Sequence, residues 1–345
     1  MSYIDINTYR ADVVSVLKEP FPWERLNGKN ILVTGATGLI GTFLVDVLMT
    51  NPARFYNVWV CGRYYESAKK RFGRYFDDPA FHFFDQDLTQ PINSNTDFHY
   101  IIHAAGNSYP AAFSSDPVGT LRGTVLGIDN LLIYGKDHNL ERLLLVSSGE
   151  VYGEGDGSTW HESDSGYVDP TNPRSCYPTA KRAAENLCAC YQSQYGMDIV
   201  TVRPSHIYGP TFKHNDNRAY AQFMRNALQA QDIVLKSDGS QSRSYCYVAD
   251  CASAMLYILF YGKSGQAYNV ADEDSFISIR ELAELTAQAG GVNVSFSNPD
   301  ETERRGYSTL NSIILDNSSL KALGWSAKTQ IKEGIPKTLS ILRQL

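Results

Sequence analysis

Nothing in the 345 residues approaches the ~18 consecutive apolar residues that a membrane-spanning helix needs. The opening stretch, MSYIDINTYRADVVSVLKEP, has no uninterrupted apolar core of the kind a secretory leader carries. Positive charge is also short. Lys and Arg number 31 against 37 Asp and Glu, a net charge of −6, which excludes any general attraction to nucleic acid or anionic lipid. Only a local basic pocket for a phosphate remains open. Cysteine is sparse: Cys61, Cys176, Cys188, Cys190, Cys246 and Cys251 contain no CxxC pair. Six are too few to staple a chain this long, and most sit in apolar runs, so reduced thiols in a cytoplasmic protein are expected. No metal is expected, and internal repeats and low-complexity linkers are missing too. The hydrophobic share of 43% excludes a disordered chain.

What is present is an alternation of apolar strand patterns with helix patterns. Residues 1–28 read as an N-terminal helical extension, with Ile4, Val13, Val14, Val16 and Leu17 on an apolar face before Pro20, Pro22 and Trp23. Strands are expected at Asn30–Thr34, Asn57–Cys61, Phe81–Phe84, Tyr100–His103, Arg142–Ser147 and Ile199–Arg203, with a helix at Gly41–Met49. Continuous apolar strands separated by helices imply an α/β fold, a doubly wound parallel sheet of Rossmann type covered on both faces. That domain is placed at 29–205. Residues 206–345, where the alternation weakens, read mainly as a smaller C-terminal substrate-binding lobe interleaved with the last sheet elements. A cleft between the lobes is the expected place for function.

The strongest local pattern is Gly35-Ala-Thr37-Gly38-Leu39-Ile40-Gly41, directly after a strand and opening a helix. Gly35 permits a tight turn, Gly38 a close approach of backbone to a pyrophosphate, and Gly41 close packing of the helix; the helix N-terminus favours the phosphates. The pattern predicts a dinucleotide cofactor, NAD or NADP. NAD sites usually carry a carboxylate for the ribose at the end of the second strand. Here Gly62 and Arg63 stand there, so Arg63 either pairs with a 2′-phosphate or is a solvated member of the basic run with Lys69, Lys70 and Arg71.

Tyr177-Pro-Thr-Ala-Lys181 places a phenol and an ammonium four residues apart on one helical face. A cation beside the phenol is expected to lower its pKa toward that of a useful base. Taken alone, such a pair is more often a surface-helix pair. The strand ending at Val146 delivers Ser147-Ser148-Gly149-Glu150 at its C-terminal end, where a serine can bond the same substrate hydroxyl or simply form a turn.

GATGLIG, the HAAG run at His103–Gly106, SSGEVYG and YPTAK, in this order, resemble the extended short-chain dehydrogenase/reductase family, whose nearest members are nucleotide-sugar epimerases, dehydratases and decarboxylases. The resemblance spans residues 28–345 and continues through RPSHIYGP at 203–210, GSQSRSYCYVAD at 239–250 and Leu323-Gly-Trp325. It implies that Tyr177 takes the proton of the sugar C4 hydroxyl, that Lys181 holds the nicotinamide ribose, and that Ser148 shares the hydroxyl. It also implies that Asp87 and Leu88 contact adenine and that Ala104, Ala105, Gly106 and Pro204 line the cofactor. His206, where the family carries Asn, Arg243 and Arg305 (or Arg304) are the implied substrate contacts. A homodimer is implied as well.

Within that resemblance, the residues after Ser148 discriminate between reactions. A 4,6-dehydratase needs an acid at the position of Gly149, and a simple 4-epimerase leaves Glu150 without a task. A UDP-glucuronate decarboxylase uses a proton donor at C5, which Glu150 supplies, and DPVGTL at 116–121 and NPRSCY at 172–177 resemble that subfamily. The alternatives kept open are the epimerase, the dehydratase, an NADPH-dependent carbonyl reductase and an inactive cofactor-binding protein.

Overall fold

The computed structural model of the chain describes residues 2–297 and 312–345. Its first part runs α1 (Asn7–Leu17), β1 (Asn30–Thr34), α2 (Leu39–Thr50), β2 (Asn57–Gly62), α3 (Tyr65–Phe72), β3 (Phe81–Asp85) and β4 (Tyr100–His103). The chain continues through α4 (Pro110–Ser115), α5 (Pro117–Asp137), β5 (Arg142–Val146), β6 (Thr159–Trp160), α6 (Cys176–Tyr195), β7 (Ile199–Pro204) and β8 (His206–Tyr208). Then follow α7 (Ala219–Leu228), β9 (Ile233–Leu235), β10 (Ser242–Tyr247), α8 (Val248–Tyr261), β11 (Ala267–Val270), β12 (Phe276–Ser278), α9 (Ile279–Gly290), β13 (Val294–Phe296), β14 (Ser312–Leu315) and the helix Ile331–Leu342.

Seven strands form one sheet in the order β11-β7-β5-β4-β1-β2-β3, and every neighbouring pair is parallel. The expected doubly wound sheet is present. Its strands are apolar at successive positions because both faces are covered. Ile31, Val33, Val58 and Val60 pack with Phe43 and Leu44 of α2 and with α8, whereas Leu32, Ile101, Leu143 and Leu145 pack with Ile128 and Leu131 of α5 and Cys188 of α6. The strand order reverses between β1 and β4, so the loops leaving their C-terminal ends diverge and open a crevice.

A second sheet, β12-β10-β14-β6 with β8 also on β10, comes from segments far apart in sequence. It borders the crevice through His206 and Ile207 of β8 and Ile313 of β14. Helix α1 buries Tyr9, Val13 and Val16. Its polar groups are tied down too: the Tyr9 hydroxyl donates to Asp46 Oδ2 at 2.7 Å, while Asp12 accepts from the Tyr247 hydroxyl at 2.8 Å and from Lys337 Nζ at 2.9 Å. All six cysteines are free thiols, and only Cys190 is exposed. Among the described residues no helix is long and apolar enough to cross a membrane.

Candidate active site

The crevice is a cleft of about 1130 Å³ running from the glycine turn to the start of α6. At one end Gly35 has φ +66°, and a Cβ there would lie 2.3 Å from the Ala104 carbonyl oxygen. No larger residue fits between the β1 and β4 loops. A Cβ on Gly41 would lie 2.5 Å from the Gly35 carbonyl oxygen and 2.7 Å from Ala36 Cα, so this glycine lets the helix close onto its own turn rather than onto the strands. Gly38, by contrast, has only the Gly35 carbonyl oxygen near it, at 3.1 Å. The Thr37–Gly41 backbone therefore lines the cleft at the N-terminus of α2. Below it, His103 Nδ1 and Thr34 Oγ1 bond at 2.8 Å, and Thr34 Oγ1 accepts from the Ala105 N–H at 3.2 Å, fixing the Ala104–Gly106 wall. Burial, with Lys181 beside it, pulls His103 down to about 3, so this imidazole is neutral.

At the other end Ser148, Glu150, Tyr177 and Lys181 meet. Ser148 leaves β5 in extended conformation, and its Oγ accepts from the Glu150 N–H at 3.1 Å as the cap of the one-turn helix Gly149–Tyr152. The same hydroxyl lies beside Tyr177 and favours its ionised form. The turn-forming reading of Ser148 is therefore met, with its hydroxyl close to the phenol. Glu150 does not cap that turn; its carboxylate is held by the Arg174 fork at 3.1 and 3.3 Å. Gly149 is packed close to Leu315, where a Cβ would meet Cδ1 at 3.2 Å.

One expectation is corrected here. The Lys181 ammonium does not pull the phenol down; it turns to the Val146 carbonyl at 2.7 Å and sits 5.9 Å from the centroid of the Tyr177 ring. Burial, together with the Glu150 charge, pushes Tyr177 up to about 12, and burial lowers Lys181 to about 8. Helical spacing put the two residues on one face but did not fix the direction of a flexible lysine.

Elsewhere, Asp87 and Leu88 line the cleft, and the Asp87 carboxylate accepts from the Thr89 N–H and hydroxyl at 2.9 Å each. Pro204 and His206 line it as well. Burial, with Arg243 and Arg218 nearby, holds His206 down at about 3, and its buried Nδ1 has no partner among the described residues. Arg243 is buried in β10 behind that wall, with Nη1 donating to the Ser242 carbonyl at 2.8 Å and Nη2 to Gln241 Oε1 at 3.2 Å. Arg304 and Arg305 lie outside the described residues.

Residues 31–271 match the NAD dependent epimerase/dehydratase family. The chain belongs to it. Among its relatives, UDP-glucuronic acid decarboxylase 6 of Arabidopsis thaliana is 31% identical over 310 residues, covering 89% of this chain and 86% of that protein. UDP-glucuronic acid decarboxylase 1 of Xenopus tropicalis is 28% identical over 319 residues, covering 92% and 72%. Of solved structures, a UDP-glucose 4-epimerase from Thermotoga maritima superposes with a TM-score of 0.80 at 23% identity, covering 91% of this chain and 99% of that one. At that identity the likeness concerns the fold.

As a member of this family the chain is an enzyme that uses NAD. The residues present fit that cofactor. Gly35 leaves room for the turn, Gly38 bares backbone toward the cleft, and Ser147 and Ser205 line the cleft with buried hydroxyls that have no partner among the described residues. At the adenosine end Arg63 is exposed over the Tyr64 ring at 5.5 Å, and Lys213 lines the same cleft. Arg63→Ala is expected to remove any preference for NADP over NAD while leaving NAD binding unchanged, measured by titrating both. Equal weakening of both would show that Arg63 touches a part the two share.

Sequence reasoning missed Arg174, Phe113 and Arg218. The first two lie against Glu150 and Tyr177 respectively. Arg218 lines the cleft near Tyr177, held by Asp216 at 2.5 Å. NPRSCY held the only signal for Arg174; nothing local marked the other two.

Proposed function

We propose that the enzyme converts a nucleotide-activated sugar through a 4-keto intermediate, and that its reaction is decarboxylation of UDP-glucuronate to the pentose nucleotide. The observation that carries this reading is the meeting of the Ser148 hydroxyl, the Tyr177 phenol and the Glu150 carboxylate on one wall of a cleft whose far end is the glycine turn. Similarity to two UDP-glucuronic acid decarboxylases supports the choice of substrate.

In this reading Ser148 Oγ and the Tyr177 hydroxyl hold the C4 hydroxyl, and the phenolic oxygen of Tyr177 takes its proton. NAD, when bound, supplies the two-electron store that C4 fills on oxidation and draws on when it is reduced again. Lys181 holds the nicotinamide ribose from the floor of the cleft. A ketone at C4 lies β to the C6 carboxylate, so CO2 leaves with the bonding electrons passing into the ketone. Glu150, after taking up a proton from water, delivers it to C5, and Tyr177 returns its proton to the C4 oxygen. Gly149 has no proton to give, which disfavours loss of a 6-hydroxyl. His206, neutral and lining the cleft, hydrogen-bonds the sugar or diphosphate in this reading, and Arg305 serves the diphosphate; Arg243, buried in β10 and not part of the cleft lining, would have to be uncovered to join it.

Residues 29–205 act in this reading as the cofactor domain and 206–345 mainly as the substrate lobe. A second copy packs on α5 and α6, where Leu121, Ile133 and Tyr195 are exposed; sedimentation velocity reads that association.

The deciding experiment incubates the enzyme with UDP-, dTDP-, GDP- and CDP-sugars and reads product masses. UDP-glucuronate is expected to lose the mass of CO2. An inert UDP-glucuronate beside an epimerised neutral hexose nucleotide would overturn the decarboxylase in favour of the epimerase.

A further inference from the structure

Arg174 lies in the one-turn helix Pro173–Ser175 that leads into α6, and its backbone N–H is capped by Asn172 Oδ1 at 2.9 Å. From that anchored position the guanidinium makes two different contacts. Its edge meets the Glu150 carboxylate, Nη1 on Oε2 at 3.1 Å and Nη2 on Oε1 at 3.3 Å. Its Cζ lies over the Phe113 ring of α4, 4.7 Å from the centroid. Phe113 in turn stacks on Tyr177, the centroids 4.6 Å apart and the planes 21° from parallel. Phe113 is 2% exposed, so the ring is buried in this contact. Cation, phenyl ring and phenol form one stack, with Glu150 bound to its outer end.

We propose that Arg174 is a positioning residue that couples Glu150 to Tyr177, gripping the carboxylate with its fork while pressing Phe113 against the phenol ring. This rests on the roles given above to Tyr177 and Glu150. The geometry favours it because one guanidinium makes a two-pronged ion pair and a cation–π contact at once, and a lysine ammonium cannot supply the two-pronged fork. Arg174 Nε is buried without a partner among the described residues, an unfavourable feature that fork and stack together offset. Arg174 acts on Tyr177 by charge as well. The groups that bear on the phenol are Glu150, which raises its proton affinity, and the Ser148 hydroxyl, Arg218 and Arg174, which lower it, with the Lys181 ammonium 5.9 Å from the ring centroid.

Three variants separate charge from geometry: Arg174→Met loses both, Arg174→Lys keeps the charge, and Phe113→Leu keeps the ion pair and loses the stack. The measurement is cofactor reduction in a single turnover of the holoenzyme with UDP-glucuronate, followed across pH, beside steady-state kcat and KM. Arg174→Met is expected to lower kcat by at least ~10-fold with KM changed far less, since misplacing a reacting group acts on the chemical step. The acidic limb of its pH profile should move upward, because Tyr177 ionises less readily without that cation. In Arg174→Lys the limb should stay near its wild-type position while kcat remains low. A wild-type kcat and pH profile in Arg174→Met, or a loss confined to KM, would overturn the coupling. Should Arg174→Met fail to fold, Phe113→Leu decides, a fall in kcat at constant KM supporting the coupling and a wild-type kcat refuting it. Cofactor reduction without release of CO2 by the wild type would sink the decarboxylase reading alone and leave this test standing.

Discussion

Tyr177→Phe is expected to lower turnover by at least ~10²-fold, the usual scale for a positioned acid–base group, while the protein keeps its wild-type thermal unfolding. The substitution removes one oxygen and leaves the ring that stacks on Phe113, so packing is preserved. What disappears is the phenolic oxygen beside Ser148 at the end of β5. The structure adds a constraint on how this group works. Burial keeps the phenol protonated up to about 12, so the proposed base role requires charge to be rebalanced around it in the loaded cleft. The wild-type rate should accordingly rise with pH, and the residual rate of the Phe variant should not follow that rise. Rapid mixing with UDP-glucuronate, monitored by near-ultraviolet absorbance of the reduced cofactor, reads both. Near-normal turnover in the variant would remove Tyr177 from its assigned role.

Glu150→Gln is expected to split the reaction in two. In the proposed mechanism oxidation at C4 uses Tyr177 and Ser148, so the variant should still reduce its cofactor once on mixing with UDP-glucuronate. Protonation at C5 needs a transferable proton, which an amide does not deliver, so finished pentose nucleotide should fall by about 10²-fold or more. The amide retains the shape of the carboxyl and one oxygen for the Arg174 fork, so the loss reflects proton transfer more than collapse of the wall. Mass spectrometry of the quenched mixture distinguishes the stages. If pentose forms at the wild-type rate, the C5 proton comes from another group.

The parallel sheet was legible because each of its strands is a local event. Asn30–Thr34 and Tyr100–His103 are expected and observed with the same ends, and the glycine turn between β1 and α2 announces itself in seven residues. The second sheet was not legible. Its strand β6 has two residues, and its partner Ile314 on β14 stands 155 positions from Thr159, so no periodicity within a window reveals it. The site divides along the same line. Tyr177 and Lys181 share a helix and were found together, but the direction of the lysine depends on a carbonyl of β5 that spacing does not see. Arg174 was visible only as a letter in a motif, because its role requires Phe113, which reaches it through a fold and not along a helix.

The tie between α1 and the end of the chain also constrains the order in which the protein is made. Asp12 is 6% exposed, and one of its partners is Lys337, 325 positions later. A ribosome working at ~5–20 residues per second needs tens of seconds to cover that distance. During that interval a carboxylate destined for the interior has no ammonium to meet it, and burying it early would be unfavourable. Helix α1 therefore has reason to stay loosely docked on the nascent sheet until Ile331–Leu342 emerges, which makes its closure a late event of synthesis and a point at which a holding chaperone has something to hold.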